Sequence, residues 1–172
     1  MKDIICLVTG HLFGTEKNSF TYVTARRMRL RIRTIMPSLS GATKIINKKS
    51  VKAHSDVPTL VYFWAMSCSQ CEQSFEKLEV IGDTFKEKLN IHAIHMPREK
   101  LDFSYEPIKE KIRQLGITYP VHLDNELTIS DRFGNKIVPA YYLFDHQQRL
   151  RFYHSGSIPT ISLQRRIERI IE

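Results

Sequence analysis

The chain is 172 residues long and 42% of its residues are hydrophobic, which suffices for one folded domain with an N-terminal extension and excludes global disorder. Its formal net charge of +8 is unevenly placed, because residues 1–52 hold 11 of the 26 Lys and Arg but 2 of the 18 Asp and Glu. Three cysteines are too few for a disulfide-stapled secreted scaffold, and their odd number indicates a reducing compartment. The first residues make a poor signal peptide and no stretch has the length of a transmembrane helix, so we expect a cytoplasmic protein without a membrane span.

The basic N-terminal third contains one strict alternation. Arginines at 27, 29, 31 and 33 alternate with apolar residues at 28, 30 and 32, and a period of two predicts a half-buried strand within 27–35. We treat residues 1–35 as a basic N-terminal extension. Together with lysines at 44, 48, 49 and 52, the arginines also suit binding to nucleic acid or an anionic surface. Aromatic residues are sparse there and no recognition motif follows, so we favour a solvated strand face and expect no nucleic-acid binding.

Strands and helices alternate from about residue 57 onward. The predicted elements are a strand at 57–65, a helix at 71–89, a strand at 90–96, a helix ending at Gly116, an extended segment at 117–124, a short helix at 125–134, a strand at 136–145, its hairpin partner at 149–156 and a helix at 160–172. This order predicts an α/β domain whose sheet is parallel where helices connect the strands and antiparallel at the final hairpin. A further hairpin is predicted around Asn47.

Cys68 and Cys71 form the single CxxC motif, between the strand at 57–65 and the helix that follows it. A zinc site would need further ligands, for which His92 and His95 are the downstream candidates. The gap of 20 residues after Cys71 is longer than in zinc fingers, and residues three apart on a strand point to opposite faces, so we do not favour zinc. A structural disulfide is also disfavoured, because a four-residue loop constrains the unfolded chain little.

A redox-active dithiol explains the position of the motif. A strand that leads into the first turn of a helix places the first thiol beside unpaired backbone N–H groups and the positive end of the helix dipole. These groups stabilise the thiolate, which is the attacking species. We therefore predict that Cys68 is the exposed nucleophile and that Cys71, one helical turn later, is the more buried resolving thiol.

The motif and its surroundings resemble the thioredoxin-fold proteins. FWAMSCSQC is similar to the FWAxWCxxC signature of that fold, and KIVPAYYLFD resembles the strand that begins Val-Pro-Thr. The segment ITYPVHLDNELTISDRFG before this strand makes the chain most similar to the bacterial TlpA/ResA branch, over about residues 36–172. The resemblance implies a three-layer α/β/α sandwich with a mixed central sheet and an added N-terminal β-hairpin.

The resemblance also implies roles for individual residues. Cys68 would be the nucleophile, Cys71 the resolving thiol and Pro139 a cis-proline that faces the disulfide. Val138 would offer backbone groups to an incoming substrate chain, much as an added strand does. Trp64 and Ser67 complete the implied substrate-binding set.

Several positions depart from the pattern of the resembled proteins. Tyr62 stands where thioredoxin has a buried Asp, Ser74 where some TlpA/ResA proteins have a Glu, and Ser67 where the signature has a Trp. The motif interior is Ser69 and Gln70. Because the interior of a CxxC tunes a reduction potential that spans about −270 to −120 mV across this fold, the resemblance does not imply the direction of electron flow.

We therefore expect a monomeric thiol-disulfide oxidoreductase that exchanges the Cys68–Cys71 pair with protein disulfides or dithiols and uses a protein dithiol as its redox partner. No metal or organic cofactor is expected. The alternatives are a redox-inactive thioredoxin-like binding module and a thiol peroxidase. The peroxidase signature is missing, because Ala65 and Val61 occupy the places of its Thr and Pro.

Overall fold

A computed structural model describes residues 30–48 and 56–172, which form a six-stranded sheet and four α-helices. In chain order the elements are β1 (Lys44–Ile46), β2 (Thr59–Trp64), α1 (Ser69–Thr84), β3 (Asn90–His95), a 3-10 helix (Lys100–Phe103), α2 (Tyr105–Gln114), β4 (Val121–Leu123), α3 (Thr128–Phe133), β5 (Ala140–Phe144), β6 (Leu150–Ser155) and α4 (Thr160–Ile171). No helix in this described part of the chain combines the length and the hydrophobicity needed to cross a membrane.

The sheet is mixed and has the strand order β1-β4-β3-β2-β5-β6. Strands β2, β3 and β4 are parallel, since helices α1 and α2 connect them. Strand β1 pairs with β4, β5 with β2, and β6 with β5, all antiparallel. The predicted α/β class and mixed sheet are confirmed.

Strand β2 is buried along its whole length, and its alternating side chains contribute to the core on both faces of the sheet. Leu60, Tyr62 and Trp64 belong to the apolar cluster that α1, α2 and α4 cover. Val61 and Phe63 belong to a second cluster, which α3 and the segment that contains Met36 and Leu39 cover. Helices therefore cover both faces, which gives the three layers predicted.

Three segments meet at one end of the sheet. Strands β2 and β3 run parallel with Trp64 opposite His95, so the loops that follow both residues leave the sheet together. Strand β5 runs the other way with Ala140 opposite Phe63, so the segment that precedes Ala140 arrives at the same end. Helix α1 begins here as well, because it follows β2 after a short turn.

The strand predicted within 27–35 is wrong over the part that the structure describes. Residues 27–29 lie outside the described residues. Beyond them the chain turns, because the Thr34 N–H donates to the Arg31 carbonyl at 3.1 Å and Arg33 has a φ of +74°. A positive φ interrupts an extended run. After this turn, residues 33–36 form three backbone hydrogen bonds with residues 148–150, around an isolated β-bridge between Ile35 and Arg149.

The predicted N-terminal hairpin is described only in its first arm. Strand β1 forms that arm and ends at Ile46, and the next residue, Asn47, has a φ of +58°. It pairs with β4 at the edge of the sheet. The predicted second arm follows the turn at 47–49 and lies outside the described residues.

Candidate active site

Cys68 and Cys71 are joined by a disulfide at the first turn of α1. Cys68 is the N-cap of the helix, and its Sγ accepts a hydrogen bond from the Cys71 N–H at 3.2 Å. Cys68 is partly exposed, whereas Cys71 is fully buried. The sulfur that a partner molecule can reach is therefore the one that accepts from the Cys71 N–H and lies at the positive end of the helix dipole.

The turn that carries Cys68 is held at three successive N–H groups. The Met66 N–H donates to His95 Nε2 at 3.3 Å, and the Ser67 N–H donates to Asp102 Oδ1 at 2.8 Å. The Cys68 N–H closes the turn on the Ala65 carbonyl at 3.2 Å. The side chains of His95, at the end of β3, and of Asp102, in the 3-10 helix, thus fix the backbone immediately before the reactive sulfur.

Asp102 is fully buried in the 3-10 helix after β3. Its Oδ2 accepts hydrogen bonds from Ser67 Oγ at 2.7 Å, from the Arg98 N–H at 2.8 Å and from the Glu99 N–H at 3.0 Å. Burial acts to raise the pKa of this carboxyl, but the hydrogen bonds from Ser67, Arg98 and Glu99 outweigh burial and lower it. The carboxylate is therefore ionised at neutral pH.

His95 lies beside Asp102 and is fully buried at the end of β3. Its ring packs edge-on against Trp64 with the ring centroids 4.8 Å apart. Burial lowers the pKa of His95 to about 4, although the nearby Asp102 charge acts to raise it. An unprotonated Nε2 is also what the hydrogen bond from the Met66 N–H requires. His95 is therefore neutral at pH 7.

Tyrosine side chains lie beneath the disulfide, where the thioredoxin pattern has a carboxylate. Tyr62 is fully buried, and its hydroxyl donates to the Cys71 carbonyl at 3.1 Å. Burial, followed by the neighbouring Tyr141, raises the pKa of Tyr62 well above its usual value. Burial likewise raises the pKa of Tyr141. At neutral pH Tyr62 and Tyr141 are therefore uncharged and do not act as proton acceptors for a thiol.

The peptide bond between Val138 and Pro139 is cis, as the resemblance implied. Val138 is partly buried and packs against the same apolar cluster as Cys71. The Pro139 carbonyl accepts from the Gly156 N–H at 2.8 Å, and the Ile137 carbonyl accepts from Asn135 Nδ2 at 2.9 Å. Among the described residues, none forms a hydrogen bond with the backbone N–H or carbonyl of Val138.

Known proteins share this architecture. The sequence profile of the AhpC/TSA family matches residues 32–153. The thiol-disulfide oxidoreductase YkuV of Bacillus subtilis is 32% identical over 144 residues, which cover 83% of this chain and 97% of YkuV. The chain belongs to the AhpC/TSA family. It is a thioredoxin-like thiol-disulfide oxidoreductase with a Cys68–Cys71 disulfide.

Solved structures agree with this assignment. A thioredoxin-like protein solved in solution in its oxidised form is 32% identical, with a TM-score of 0.75, and the match covers 83% of this chain and 97% of that one. StoA of Bacillus subtilis is 13% identical with a TM-score of 0.56, and the match covers 64% of this chain and 82% of StoA. At that identity StoA shows the shared fold alone. The thioredoxin-like fold predicted for this oxidoreductase is confirmed.

Two residues predicted to bind substrate have other environments in the oxidoreductase. Trp64 is 1% exposed and packs against Phe75 and His95, with ring centroids 4.9 and 4.8 Å away. Trp64 lies in the same buried cluster as Cys71, and its assignment to substrate binding stays a prediction. Ser67 is exposed, but its N–H and hydroxyl both donate to Asp102.

The histidines that the structure describes do not form a metal site. His92 and His95 lie on opposite faces of β3, as the strand periodicity predicted, and His92 instead pairs with His122 on β4, with Nδ1 and Nε2 3.1 Å apart. Burial, and for His92 also the neighbouring His122, lowers the pKa of both to about 4. In the part of the chain that the structure describes, no three His, Cys, Asp or Glu side chains lie close enough together to hold a metal ion.

Asp102 and His95 are the residues near the disulfide that the sequence did not single out for this role. Their bonds to Ser67 and Met66 span 35 and 29 residues. Such contacts depend on the parallel register of β2 and β3. A local sequence pattern carries no signal for them.

Proposed function

We propose that this thiol-disulfide oxidoreductase acts on cysteine-bearing segments of other proteins, with Cys68 as the nucleophile and Cys71 as the resolving thiol. The asymmetry of burial supports the proposal, since Cys68 is partly exposed and Cys71 is fully buried. In the reduced form the Cys71 N–H and the N-terminus of α1 favour the thiolate on Cys68.

The exchange proceeds in two balanced steps. The Cys68 thiolate attacks one sulfur of a substrate disulfide, a bond forms between these sulfurs, and the other substrate sulfur leaves as a thiolate. Cys71, after losing its proton to solvent, then attacks Cys68 Sγ and releases the second substrate thiolate. The substrate gains two electrons and the Cys68–Cys71 pair loses them. A protein dithiol that runs the same steps in reverse on the Cys68–Cys71 disulfide restores the reduced form.

The backbone of Val138 provides a docking edge for an extended substrate segment. Its N–H and carbonyl form no hydrogen bond with any residue that the structure describes, and it directly precedes the cis-proline at the end of the sheet where α1 begins. An extended peptide that pairs with Val138 adds a short strand beside the disulfide. This arrangement fits a peptide chain better than a small disulfide.

Exposed apolar side chains lie beside residues of this site in the sequence. Leu101 and Phe103 are 66% and 53% exposed, and they flank Asp102, which holds the turn before Cys68. Ile137, which precedes Val138, is 51% exposed. We call Leu101, Phe103 and Ile137 the apolar rim. The rim fits substrate segments that carry apolar residues next to the reacting cysteine.

A trapping experiment tests the roles of the two cysteines. The reduced Cys71→Ser variant is expected to form a stable mixed disulfide through Cys68 with a disulfide-containing peptide, because no resolving thiol is left to release it. Mass spectrometry of the intact protein identifies the adduct. The Cys68→Ser variant is expected to form no adduct, and Cys6→Ser in the otherwise unchanged chain is the matched control that retains full exchange. An adduct on Cys71 with none on Cys68 contradicts the assignment.

A second experiment tests the apolar rim. Replacing both Leu101 and Phe103 by Ser removes two apolar contacts worth about 1 kcal/mol each, so kcat/KM for a disulfide-containing peptide is expected to fall about thirtyfold. The rate with hydroxyethyl disulfide, which has no peptide side chains to contact the rim, is expected to stay unchanged. Ile161→Ser, at a 54% exposed site on α4, is the matched control. Equal losses on both disulfides would rule out a docking role.

A further inference from the structure

Asp102 places a buried negative charge beside the nucleophile. We propose that Asp102 is a positioning residue that anchors the turn carrying Cys68 and opposes the build-up of negative charge on the Cys68 sulfur. The inference deepens the proposed function, since it takes Cys68 to be the attacking thiol. Two observations carry it: the hydrogen bonds that Asp102 accepts, and the lack of a compensating cation among those of its buried neighbours that the structure describes.

The anchoring role requires a carboxylate. Oδ1 accepts from the Ser67 N–H, while Oδ2 accepts from Ser67 Oγ and from the N–H groups of Arg98 and Glu99. An amide of the same shape has one acceptor and one donor group. If its oxygen takes the site with three donors, its NH2 group faces the Ser67 N–H, and that bond is lost. Asp102 thus holds Ser67 and the 3-10 helix together with bonds that Asn cannot fully replace.

Among the described residues, no buried group around Asp102 neutralises its charge through an ion pair. His95, the titratable group packed next to it, is neutral at pH 7 because burial lowers its pKa to about 4. The charged side chains of the neighbouring loops and of the first turn of α1 are exposed to solvent and therefore screened: Arg98, Glu99, Lys100, Lys136 and Glu72. What balances the carboxylate is hydrogen bonding, which offsets its desolvation but leaves its net charge in place.

Two opposing influences therefore act on the Cys68 sulfur. The Cys71 N–H and the N-terminus of α1 favour a thiolate. The carboxylate of Asp102, bonded to the residue immediately before Cys68, disfavours it. An otherwise equivalent site without this charge would ionise at a lower pH. Asp102 in this way restrains the reactivity of a thiol that the helix would otherwise activate more strongly.

The test is the pH dependence of Cys68 alkylation by iodoacetamide, measured on the reduced full chain in a Cys6→Ser background with the modified residue identified by mass. In Asp102→Asn the midpoint of the rate profile is expected to fall by about one pH unit, which corresponds to a tenfold larger ionisation constant. At pH 7 the thiolate fraction rises nearly tenfold and the intrinsic nucleophilicity falls about threefold, so the rate rises about threefold. A midpoint that stays in place or moves to higher pH overturns the proposal.

The matched control is Asp124→Asn, because Asp124 is also fully buried and accepts two N–H bonds, from Ile129 and Ser130 at 2.9 and 2.7 Å. Asp124 makes no contact with the turn before Cys68. The midpoint of the pH–rate profile of Asp124→Asn is therefore expected to match that of the parent protein. An equal shift in both variants overturns the proposal, since it would reflect general loosening of the fold.

If Asp102→Asn does not fold, Ser67→Ala provides the test of whether Asp102 opposes ionisation of Cys68. It removes one donor from the carboxylate and keeps the charge, so the midpoint is expected to move to higher pH. No change, or a move to lower pH, counts against Asp102. Alkylation reports ionisation whether or not the chain exchanges disulfides. Failure of the cysteine-trapping experiment would thus refute the proposed function without changing the pH midpoint of Cys68 alkylation.

Discussion

Acidification from pH 7 to pH 5 is expected to destabilise the protein through its buried imidazoles, and His95 is the clearest case. Its pKa is about 4 in the folded protein and about 6.5 in an unfolded chain. The unfolded chain binds the proton first, so the contribution of neutral His95 is complete above pH 6.5 and is lost as the pH falls towards 4. At pH 5 the loss from this residue alone is about 2 kcal/mol. The pair of His92 and His122, also with pKa values of about 4, adds to it and titrates as a unit.

His95→Gln isolates the contribution of one residue. The Gln side chain oxygen can accept the Met66 N–H but has no proton to gain, so this variant is expected to lose about 2 kcal/mol less than the parent between pH 7 and pH 5. The measurement is urea denaturation of the oxidised protein, followed by far-ultraviolet circular dichroism at each pH. A loss of about 2 kcal/mol is a large part of the 5–15 kcal/mol that typically stabilises a domain.

Tyr62→Phe separates this effect from general weakening of the core. It removes a buried hydrogen bond to the Cys71 carbonyl and is expected to cost about 1 kcal/mol at both pH values. Its dependence on pH should match the parent. If His95→Gln loses as much stability on acidification as the parent does, then His95 is not held neutral by burial and the reasoning fails.

Two further predictions concern the core and the backbone. Phe133 packs edge-on against Phe63 and Tyr142, with ring centroids 5.2 Å from each, so Phe133→Ala is expected to lower the free energy of unfolding by about 3–5 kcal/mol in urea denaturation. Gly41 has a φ of +93°, and a Cβ there would lie 2.9 Å from a Thr128 methyl group. Gly41→Ala is therefore expected to destabilise the chain by about 1–3 kcal/mol. Gly82→Ala, in the interior of α1 with Ile91 Cδ1 3.6 Å from the new methyl, should stabilise it by up to about 1 kcal/mol, and both are read as shifts in Tm.

The fold of the domain was predictable because its elements carry local patterns. Strand β2 is an apolar, β-branched and aromatic run, and α1 repeats apolar residues at helical spacing, so both emerge from the sequence with their order and type. The alternation at 27–33 led to the wrong prediction of a strand. A period of two indicates which side chains contact an apolar surface, but it does not show that the backbone stays extended. Leu30 does pack against the core, but the positive φ of Arg33 turns the chain.

The active site was predictable in its covalent part and not in its supporting part. Cys68, Cys71 and Pro139 lie in short motifs, and the disulfide and the cis peptide bond are present as expected. His95 and Asp102 contact the same turn from 29 and 35 residues away. Nothing near either residue in the sequence marks it, since the contact exists only once β2 and β3 are aligned.

Three hydrogen bonds fix the turn before Cys68, and two of them come from side chains outside the CSQC motif. The four residues CSQC therefore do not form the active site by themselves. Grafting them into another protein of this fold would transfer the two sulfurs and the helix turn. It would leave behind the imidazole at His95 and the carboxylate at Asp102, which approach from a different strand and the loop after it. A chimera built on the motif alone is therefore expected to acquire the redox properties of its host. To transfer the redox properties of this chain, the graft must include the end of β3 and the 3-10 helix that follows it.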